Sequence, residues 1–339
     1  MAMAIDTLIQ QMKQGERRAV ARLMTLVEND MVAAKEVSSK IFKDAGYAYV
    51  VGVTGAPGSG KSSLVNKIVK FLADKGARIG VIAVDPTSSF SGGALLGDRI
   101  RMRDNVTSEK VFIRSMATRG QQGGMARATK DMITILDVFG CEYIFIETVG
   151  VGQNEIDVHS TAHATLGVMV PGMGDEIQTL KAGILEICDI FVVNKTDHEG
   201  GDRLVSEIES MLSLSDKLSM DHDENDVISS TPVDKVSGWR PAIVKTNAVT
   251  GEGIPELWNA VEGHREFLVS SGLFDERLKK RFRKEVMDIL HEHFRVRVED
   301  VLDAGKNEII NDLLAKILRH QRSPYEISDI ISKHITTRE

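Results

Sequence analysis

Residues 52–69, GVTGAPGSGKSSLVNKIV, change character halfway along their length. The first half contains four glycines and a proline, which break regular structure, whereas the second half, from Lys61, has the composition of a helix. Residues 55–62 fit the pattern G-x-x-x-x-G-K-[ST], and an apolar run ending at Thr54 precedes them. A strand, a glycine-rich loop and a helix in this order predict a loop that binds the phosphates of a nucleoside triphosphate.

The composition of this loop follows from the chemistry of phosphate binding. Backbone N–H groups must converge on phosphate oxygens, so glycines supply conformational freedom and close approach. Lys61 is predicted to reach the β- and γ-phosphates, and the hydroxyl of Ser62 is predicted to coordinate Mg²⁺. The residues predicted to contact the nucleotide here are Gly55, Ala56, Pro57, Gly58, Ser59, Gly60, Lys61, Ser62 and Ser63.

A second motif concerns the base. The run FVVNKTD carries Asn194, Lys195 and Asp197 in the N-K-x-D pattern of guanine-specific P-loop proteins. Guanine presents an N1–H and an N2 amino group side by side, and one carboxylate accepts from both. Adenine has no such pair of donors, so ATP would leave the carboxylate poorly satisfied in a partly dry site. This motif favours GTP over ATP.

A third motif lies further along the chain, in VKTNAVTGEG. Asn247, Ala248 and Val249 occupy the place of the S-A-x loop of guanine-binding proteins, whose backbone amide reads guanine O6. A backbone contact does not depend on the side chain at the first position. We therefore predict GTP and GDP as the bound nucleotides, with these three residues near the base.

Two acidic residues are expected near the phosphates. Asp85 ends the apolar run RIGVIAVD, and Glu147 lies in the run YIFIETVG. Because ligands of parallel sheets bind beyond the carboxyl ends of the strands, we predict that Ser62, Asp85 and Glu147 hold Mg²⁺. The alternative for Asp85 is an ordinary helix N-cap. Glu147 and Lys61 are also predicted to be catalytic.

The segment after Asp85 contains glycines at positions 92, 93 and 97, which imply a mobile loop. Asp98 follows them and is predicted to close over the γ-phosphate as a catalytic residue; the alternative is a surface salt bridge. Beyond Glu147, Gly150 is placed to sense the γ-phosphate through its backbone. Gln153 is either a water-positioning glutamine or a structural residue.

Seven short apolar runs alternate with helical stretches between residues 48 and 248. Runs of this kind are typical of a mainly parallel sheet covered by helices on both sides. We predict an α/β P-loop NTPase with helical extensions at both ends. Its parts are an N-terminal helical segment, residues 1–45, the P-loop GTPase domain, residues 46–262, and a C-terminal helical dimerisation arm, residues 263–339.

Composition narrows the class of protein further. The chain has 339 residues, and its formal charge of −7 argues against a surface built for nucleic acid. Cys141 and Cys188 lie in or beside apolar runs, which is typical of buried thiols in a reducing compartment. The first residues lack the apolar stretch of a signal peptide, and no run is long enough to cross a bilayer. We expect a cytoplasmic protein.

Five stretches occur in the order found in one known family. They are GVTGAPGSGKSSL, DPTSSFSGGALLGDRIRM, ETVGVGQNE, PGMGDEIQTLKAGILEICDIFVVNKTD and TGEGI. On these motifs the chain resembles the MeaB/ArgK-type GTPases, the family that includes human methylmalonic aciduria type A protein. The resemblance covers roughly residues 5–335. The family usually has proline in place of Ser89 and serine in place of Asn247.

The resemblance implies a homodimeric GTPase that accompanies an adenosylcobalamin-dependent acyl-CoA mutase, chiefly methylmalonyl-CoA mutase. Such a chaperone protects the mutase and gates the loading or removal of its cobalamin cofactor. The resemblance also implies that residues 172–181 form a third switch that reports the nucleotide state to the mutase. Its polar members would be Asp175, Gln178 and Lys181; from the residues alone, they read as an exposed first turn of a helix.

Three other functions stay open. Older members of this family were called arginine/ornithine transport kinases, but a kinase needs an acceptor site with a catalytic base. A nickel-type metal-insertion GTPase needs clustered ligands, whereas His291 and His293 point in different directions on a helix. A nucleic-acid role could be read from RLKKRFRK, residues 277–284, although a basic helix face beside acids is typical of a solvated surface.

Overall fold

The computed structural model describes residues 2–85, 108–117, 122–148, 159–172, 187–220, 238–303 and 308–336. The chain divides into two compact units, residues 1–281 and residues 282–339. Within the described ranges, no helix is long and apolar enough to span a membrane.

Seven strands of the first unit form one sheet within the described part of the chain. They are β1 (Tyr49–Thr54), β2 (Ile79–Asp85), β3 (Val111–Ala117), β4 (Tyr143–Thr148), β5 (Ala164–Met169), β6 (Ile190–Val193) and β7 (Ala242–Lys245). Their order across the sheet is β3-β2-β4-β1-β5-β6-β7, and every neighbouring pair is parallel. The seven apolar runs and the parallel sheet predicted from the sequence are therefore confirmed.

Helices precede, connect and follow these strands. Those described are α1 (Ala2–Lys13), α2 (Arg17–Asn29), α3 (Met31–Ile41), α4 (Lys61–Asp74), α5 (Gln122–Val138), α6 (Gly201–Met220), α7 (Ile254–Ser270), α8 (Leu273–Asp303), α9 (Glu308–Leu318) and α10 (Pro324–Thr336). The helical extensions predicted at both ends of the chain are confirmed.

Local sequence sets the ends of several helices. The Asp30 carboxylate accepts from the second and third N–H groups of α3, at 2.8 and 3.1 Å, as an N-cap should. Pro324 is the first residue of α10, where its missing N–H costs nothing. Ser323 and Glu326 cap the same helix reciprocally, each side chain accepting from the backbone N–H of the other residue.

Apolar side chains alternate between the two faces of the sheet. Val50, Ile82 and Ile144 share one core with α1, α2, α3 and α5. The adjacent residues Val51 and Phe145 belong to a second core, on the other face, with α4 and α7. Successive strand residues point to opposite faces, so a sheet that is apolar on both faces requires helices on both sides.

The strand order indicates where a ligand can bind, at the carboxyl ends of the central strands. The central strand β1 lies between β4 and β5, and the sheet grows from it in opposite directions. Open parallel sheets bind ligands beyond the carboxyl ends of the strands where the order reverses. The described loops that follow β1, β6 and β7 all leave the sheet at the carboxyl ends of the strands.

In the second unit, the helices α9 and α10 pack against each other. Leu313 of α9 and Ile327 of α10 are buried, and Ile317, Ile330 and Ile331 pack around them. These two helices therefore bury part of their apolar surface against each other.

Candidate nucleotide-binding site

The loop after β1 has a backbone that glycine alone adopts readily. Gly55, Gly58 and Gly60 have φ angles of +140°, +84° and +90°. A Cβ atom on Gly55 would lie 2.2 Å from the carbonyl oxygen of Val168 on β5, and one on Gly60 would lie 2.5 Å from Nδ2 of Asn194. Both distances are shorter than any ordinary contact, so close packing requires glycine at these two positions.

Lys61 brings a positive charge into this loop. It is the first residue of α4 and is only 5% exposed. Its Nζ donates to the carbonyl oxygens of Gly55, at 2.6 Å, and Ala56, at 2.9 Å. The ammonium group therefore lies beside the N-terminus of α4, where unsatisfied backbone N–H groups and the helix dipole also favour an anion.

Two oxygen side chains meet at the same edge. The Ser62 hydroxyl donates to Oε1 of Glu147, which lies near the end of β4 and is 7% exposed. Hydroxyl and carboxylate oxygens are the ligands that Mg²⁺ prefers, so this pair fits the ion predicted from the sequence. Asp85 ends β2, whose register pairs Ala83 with Glu147, so the backbone of Asp85 lies at this edge as well.

Asn194, the first residue of the N-K-x-D motif, connects the phosphate loop to the loop after β7. It is 1% exposed, and its Nδ2 donates to the carbonyl oxygen of Ser59 at 2.9 Å. Its Oδ1 accepts from the backbone N–H of Ala248, at 3.0 Å, and from the hydroxyl of Thr246, at 3.2 Å. Because all these bonds join separate elements, Asn194 fixes the two loops relative to each other.

The other two members of the motif project from the turn after β6. Lys195 has a φ angle of +58°, an uncommon conformation for a residue with a side chain. Asp197 has a side chain that is 60% exposed. One of its carboxylate oxygens, Oδ1, accepts from Nδ2 of Asn247 at 3.0 Å. The structure thus brings two predicted base-contacting residues together, although they are fifty positions apart in sequence.

The loop after β7 is held by its own first residue. Oδ1 of Asn247 accepts from the backbone N–H groups of Val249, at 2.9 Å, and Thr250, at 3.2 Å. The backbone N–H of Ala248, in the loop predicted to lie near the base, donates to Oδ1 of Asn194. The side chain of Val249 is 80% exposed.

Sequence reasoning missed one member of this network. Thr246 is fully buried, and its backbone N–H donates to the carbonyl oxygen of Val193 at 2.8 Å. Its only sequence signal is its position directly before Asn247. Of the predicted switch residues, those outside the described part of the chain are Asp98, Gly150, Gln153, Asp175, Gln178 and Lys181.

A separate polar cluster lies at the opposite, amino edge of the sheet. Asp189, just before β6, accepts from Nη2 of Arg277 at 2.6 Å, and Nε2 of His264 lies 3.3 Å from the same oxygen. Burial would raise the pKa of this carboxyl, but His264 and Arg277 outweigh burial and hold its pKa below the usual range. Burial, reinforced by Arg281 and Arg277, lowers the pKa of His163 to about 3.

No group of three or more His, Cys, Asp or Glu side chains in the described ranges is arranged to hold a metal ion. The site at the carboxyl ends of the strands combines the glycine loop, the Lys61 ammonium group and the N-terminus of α4, with the Ser62 hydroxyl and the Glu147 carboxylate beside them. Together with the parallel sheet and the glycine loop after its central strand, this site defines the class of P-loop nucleoside triphosphatases.

The chain belongs to the MeaB family, because residues 20–302 match the family described as methylmalonyl Co-A mutase-associated GTPase MeaB. It is a GTPase, and the family resemblance predicted from the motifs is confirmed. A Pyrococcus abyssi protein named as a GTPase is 47% identical over 332 residues, which cover 98% of this chain and 97% of the relative.

Two more distant similarities concern a curated relative and a solved structure. The GTPase ArgK of Escherichia coli strain K12 is 30% identical over 317 residues, covering 89% of this chain and 92% of ArgK. A crystal structure described as an LAO/AO transport system kinase superposes with a TM-score of 0.66 at 24% identity, covering 99% of this chain and 98% of that one. At that identity the superposition supports the fold alone.

Proposed function

We propose that this GTPase is a nucleotide-dependent chaperone of an adenosylcobalamin-dependent acyl-CoA mutase, methylmalonyl-CoA mutase in particular. The observation that carries the proposal is the match of residues 20–302 to a family described as associated with that mutase. In this role the protein protects the mutase and gates the loading of its cobalamin cofactor. GTP binding and hydrolysis then set when the two proteins associate.

In the proposed site, residues 55–63 surround the phosphates of GTP. Lys61 neutralises charge on the β- and γ-phosphates, and this is its proposed catalytic role. Asp98 and Glu147 are the other two residues proposed as catalytic. Ser62, Asp85 and Glu147 hold Mg²⁺, which when bound supplies further charge neutralisation at these phosphates. The contact between the Ser62 hydroxyl and Glu147 supports this assignment, because it brings two oxygen ligands together.

The base is read at the other end of the site. Asp197 accepts from the two adjacent donors of guanine. Lys195 and residues 247–249 lie beside the base. Asp197→Asn should weaken GDP binding and favour xanthosine diphosphate, because an amide can donate to the 2-oxo group of xanthine. Calorimetry with both nucleotides tests this assignment, and an unchanged affinity for GDP would remove Asp197 from the base site.

The partner proposal is tested by measuring GTP turnover with and without methylmalonyl-CoA mutase. Phosphoryl transfer depends almost entirely on positioning and charge stabilisation, so a partner that orders the site should accelerate hydrolysis. A stimulation of about a hundredfold needs only about 2.7 kcal/mol of added transition-state stabilisation. The Lys61→Ala variant serves as the control, because it should show no stimulated turnover.

The same experiment includes a binding measurement. If the mutase stabilises the GTP-bound form, GTP must tighten mutase binding by the same factor. Mutase affinity should therefore differ between GDP and a non-hydrolysable GTP analogue. Equal affinities, together with no stimulation by any acyl-CoA mutase, would contradict the chaperone role and favour the kinase or metal-insertion alternatives.

We also propose that the protein is a homodimer that associates through its C-terminal helices. Phe282, Val286, Leu290 and Phe294 recur every four residues along α8 and are 41–55% exposed. An apolar stripe of this kind on a soluble helix is typical of a partner surface, here a second copy of the chain. Light scattering on Leu290→Glu should give a monomer, whereas His291→Glu, which adds the same charge off the stripe, should remain dimeric.

A further inference from the structure

We propose that Ser59 is a positioning residue for phosphate binding, whose buried hydroxyl donates to the backbone carbonyl of Val168 once a nucleotide orders the phosphate loop. This inference rests on the proposed role of residues 55–63 as the loop that surrounds the phosphates. Its first support is the burial of the side chain. Ser59 is fully buried, and within the described part of the chain no group forms a hydrogen bond with its Oγ. A buried hydroxyl without an acceptor is unfavourable, so a loop conformation that supplies one is stabilised.

The backbone of Ser59 fixes the position of the residue in the loop. Its N–H donates to the carbonyl oxygen of Ala56 at 3.1 Å, and its carbonyl oxygen accepts from Nδ2 of Asn194 at 2.9 Å. Both main-chain groups therefore have partners. In the described ranges, the hydroxyl is the one polar group of Ser59 that has none.

An acceptor for this hydroxyl lies close by, on β5. A Cβ atom on Gly55 would lie 2.2 Å from the carbonyl oxygen of Val168 and 3.2 Å from Oγ of Ser59. The two oxygens therefore lie around the same point, and no side chain separates them because residue 55 is glycine. A carbonyl oxygen has two lone pairs, so a bond within the sheet does not prevent it from accepting the hydroxyl proton. A small movement of the loop brings donor and acceptor within hydrogen-bonding distance.

Nucleotide binding provides the reason for such a movement. Phosphate oxygens attract the backbone N–H groups of the loop, which must converge on them. Ser59 lies between Gly58 and Gly60, whose positive φ angles give the backbone on either side of it unusual freedom to adjust. The free loop thus contains an unsatisfied hydroxyl that the bound loop does not, and this difference adds to the affinity for the nucleotide.

Thr54 provides a comparison within the same region. It is also fully buried, and its Oγ1 also lacks a hydrogen-bond partner within the described residues. Thr54 ends β1, however, and that strand is paired with β4 on one side and β5 on the other. A residue held in the middle of a sheet does not follow the loop, so its hydroxyl has the same surroundings with and without nucleotide. The proposal therefore assigns different outcomes to two buried hydroxyls.

The decisive variant is Ser59→Ala, which removes the hydroxyl and little else. In the free protein it removes an unsatisfied buried group, so the thermal midpoint should rise by a few degrees. GDP affinity should nevertheless fall by about tenfold, because the bound form loses a hydrogen bond. A serine with a merely structural role would lower the thermal midpoint and the affinity together.

Two further variants serve as controls. Thr54→Val removes a buried hydroxyl of the same kind while keeping the shape of the side chain, so it should raise the thermal midpoint and leave GDP affinity unchanged. Ser59→Cys keeps a weaker donor of similar size at the position itself, so it should bind GDP more tightly than Ser59→Ala.

The experiment uses the full chain, with calorimetry for the dissociation constant of GDP and thermal unfolding without nucleotide for the midpoint. An affinity for GDP in Ser59→Ala that is unchanged or higher would overturn the inference, and so would a lower midpoint. An equal loss of affinity in Thr54→Val would overturn it as well. If the wild type itself does not bind GDP, the proposed nucleotide site fails. If the wild type binds GDP and Ser59→Ala binds it equally well, the role of Ser59 alone is wrong.

Discussion

Replacing Arg277 by methionine should destabilise the first unit strongly. Asp189 and Arg277 have side chains that are 7% and 15% exposed, and two of their atoms lie 2.6 Å apart. Arg277→Met leaves the Asp189 carboxylate buried without its cation. Removing one partner of a buried ion pair costs about 3–5 kcal/mol, because the remaining charge is no longer compensated. His264 stays in contact with Asp189, so we expect the lower end of this range.

The loss of stability in Arg277→Met should be greater at neutral pH than in acid. The folded protein holds the pKa of Asp189 below its usual range, so the ionised carboxylate contributes stability at neutral pH. That contribution is complete above the usual carboxyl pKa of about 3.9 and is lost as the pH falls through the folded-state value. The difference between the wild type and Arg277→Met should therefore be largest at neutral pH and should narrow in acid.

Urea denaturation followed by tryptophan fluorescence measures this loss directly. The chain has two tryptophans, Trp239 and Trp258, and both belong to the first unit, so the signal reports that unit alone. Lys279→Met removes an exposed positive charge from the same helix and should change the free energy of unfolding by less than about 0.5 kcal/mol.

A second variant tests the cause of the loss. Adding Asp189→Asn to Arg277→Met removes the buried charge and should restore part of the lost stability, because an amide is cheaper to bury than an unpaired carboxylate. If the free energy of unfolding of Arg277→Met is within about 1 kcal/mol of the wild-type value at neutral pH, solvent screens the ion pair and the reasoning from burial is wrong.

Three further predictions concern the nucleotide site. Lys61→Ala should reduce GTP hydrolysis by about a hundred- to a thousandfold, measured as phosphate release, because it removes the cation beside the loop. Glu147→Ala should raise the Mg²⁺ concentration for half-maximal hydrolysis by about tenfold or more, seen in a Mg²⁺ titration; an unchanged titration would exclude Glu147 from the metal site. Gly60→Ala should abolish tight GDP binding in calorimetry, since its Cβ meets Asn194 at 2.5 Å, whereas Gly263→Ala, with nothing within 4 Å, should bind normally.

Local patterns in the sequence were sufficient to predict much of the fold. The strand and helix that flank residues 55–62 follow from a short apolar run, three glycines and a good helix-forming segment, all adjacent in the chain. The strands β1, β2, β4, β5 and β6 are almost wholly apolar and buried on both faces, and a run of that kind indicates a buried parallel strand whatever its neighbours are. The phosphate loop and the parallel sheet were predictable because the residues that determine them are close in sequence.

Strand order and side-chain contacts could not be obtained in this way. Nothing local to β1 says that β4 and β5 flank it, because strand pairing depends on how distant segments pack. The bond from Asn194 to Ser59 joins residues 135 positions apart. From the sequence, Asn194 reads as a nucleotide contact, whereas the folded chain also uses it to fix two loops together.

The residue at position 247 separates the two kinds of information most clearly. The sequence determined that a loop follows β7 and that Asn247 begins it. On the sequence alone its asparagine is a departure from serine that touches no phosphate or metal ligand. Only the tertiary structure directs its amide at Asp197, because the contact requires β6 and β7 to pair in parallel so that the turns following them meet at one edge. Hydrogen bonds of this kind are decided by the geometry of packed strands, which no local pattern of residues contains.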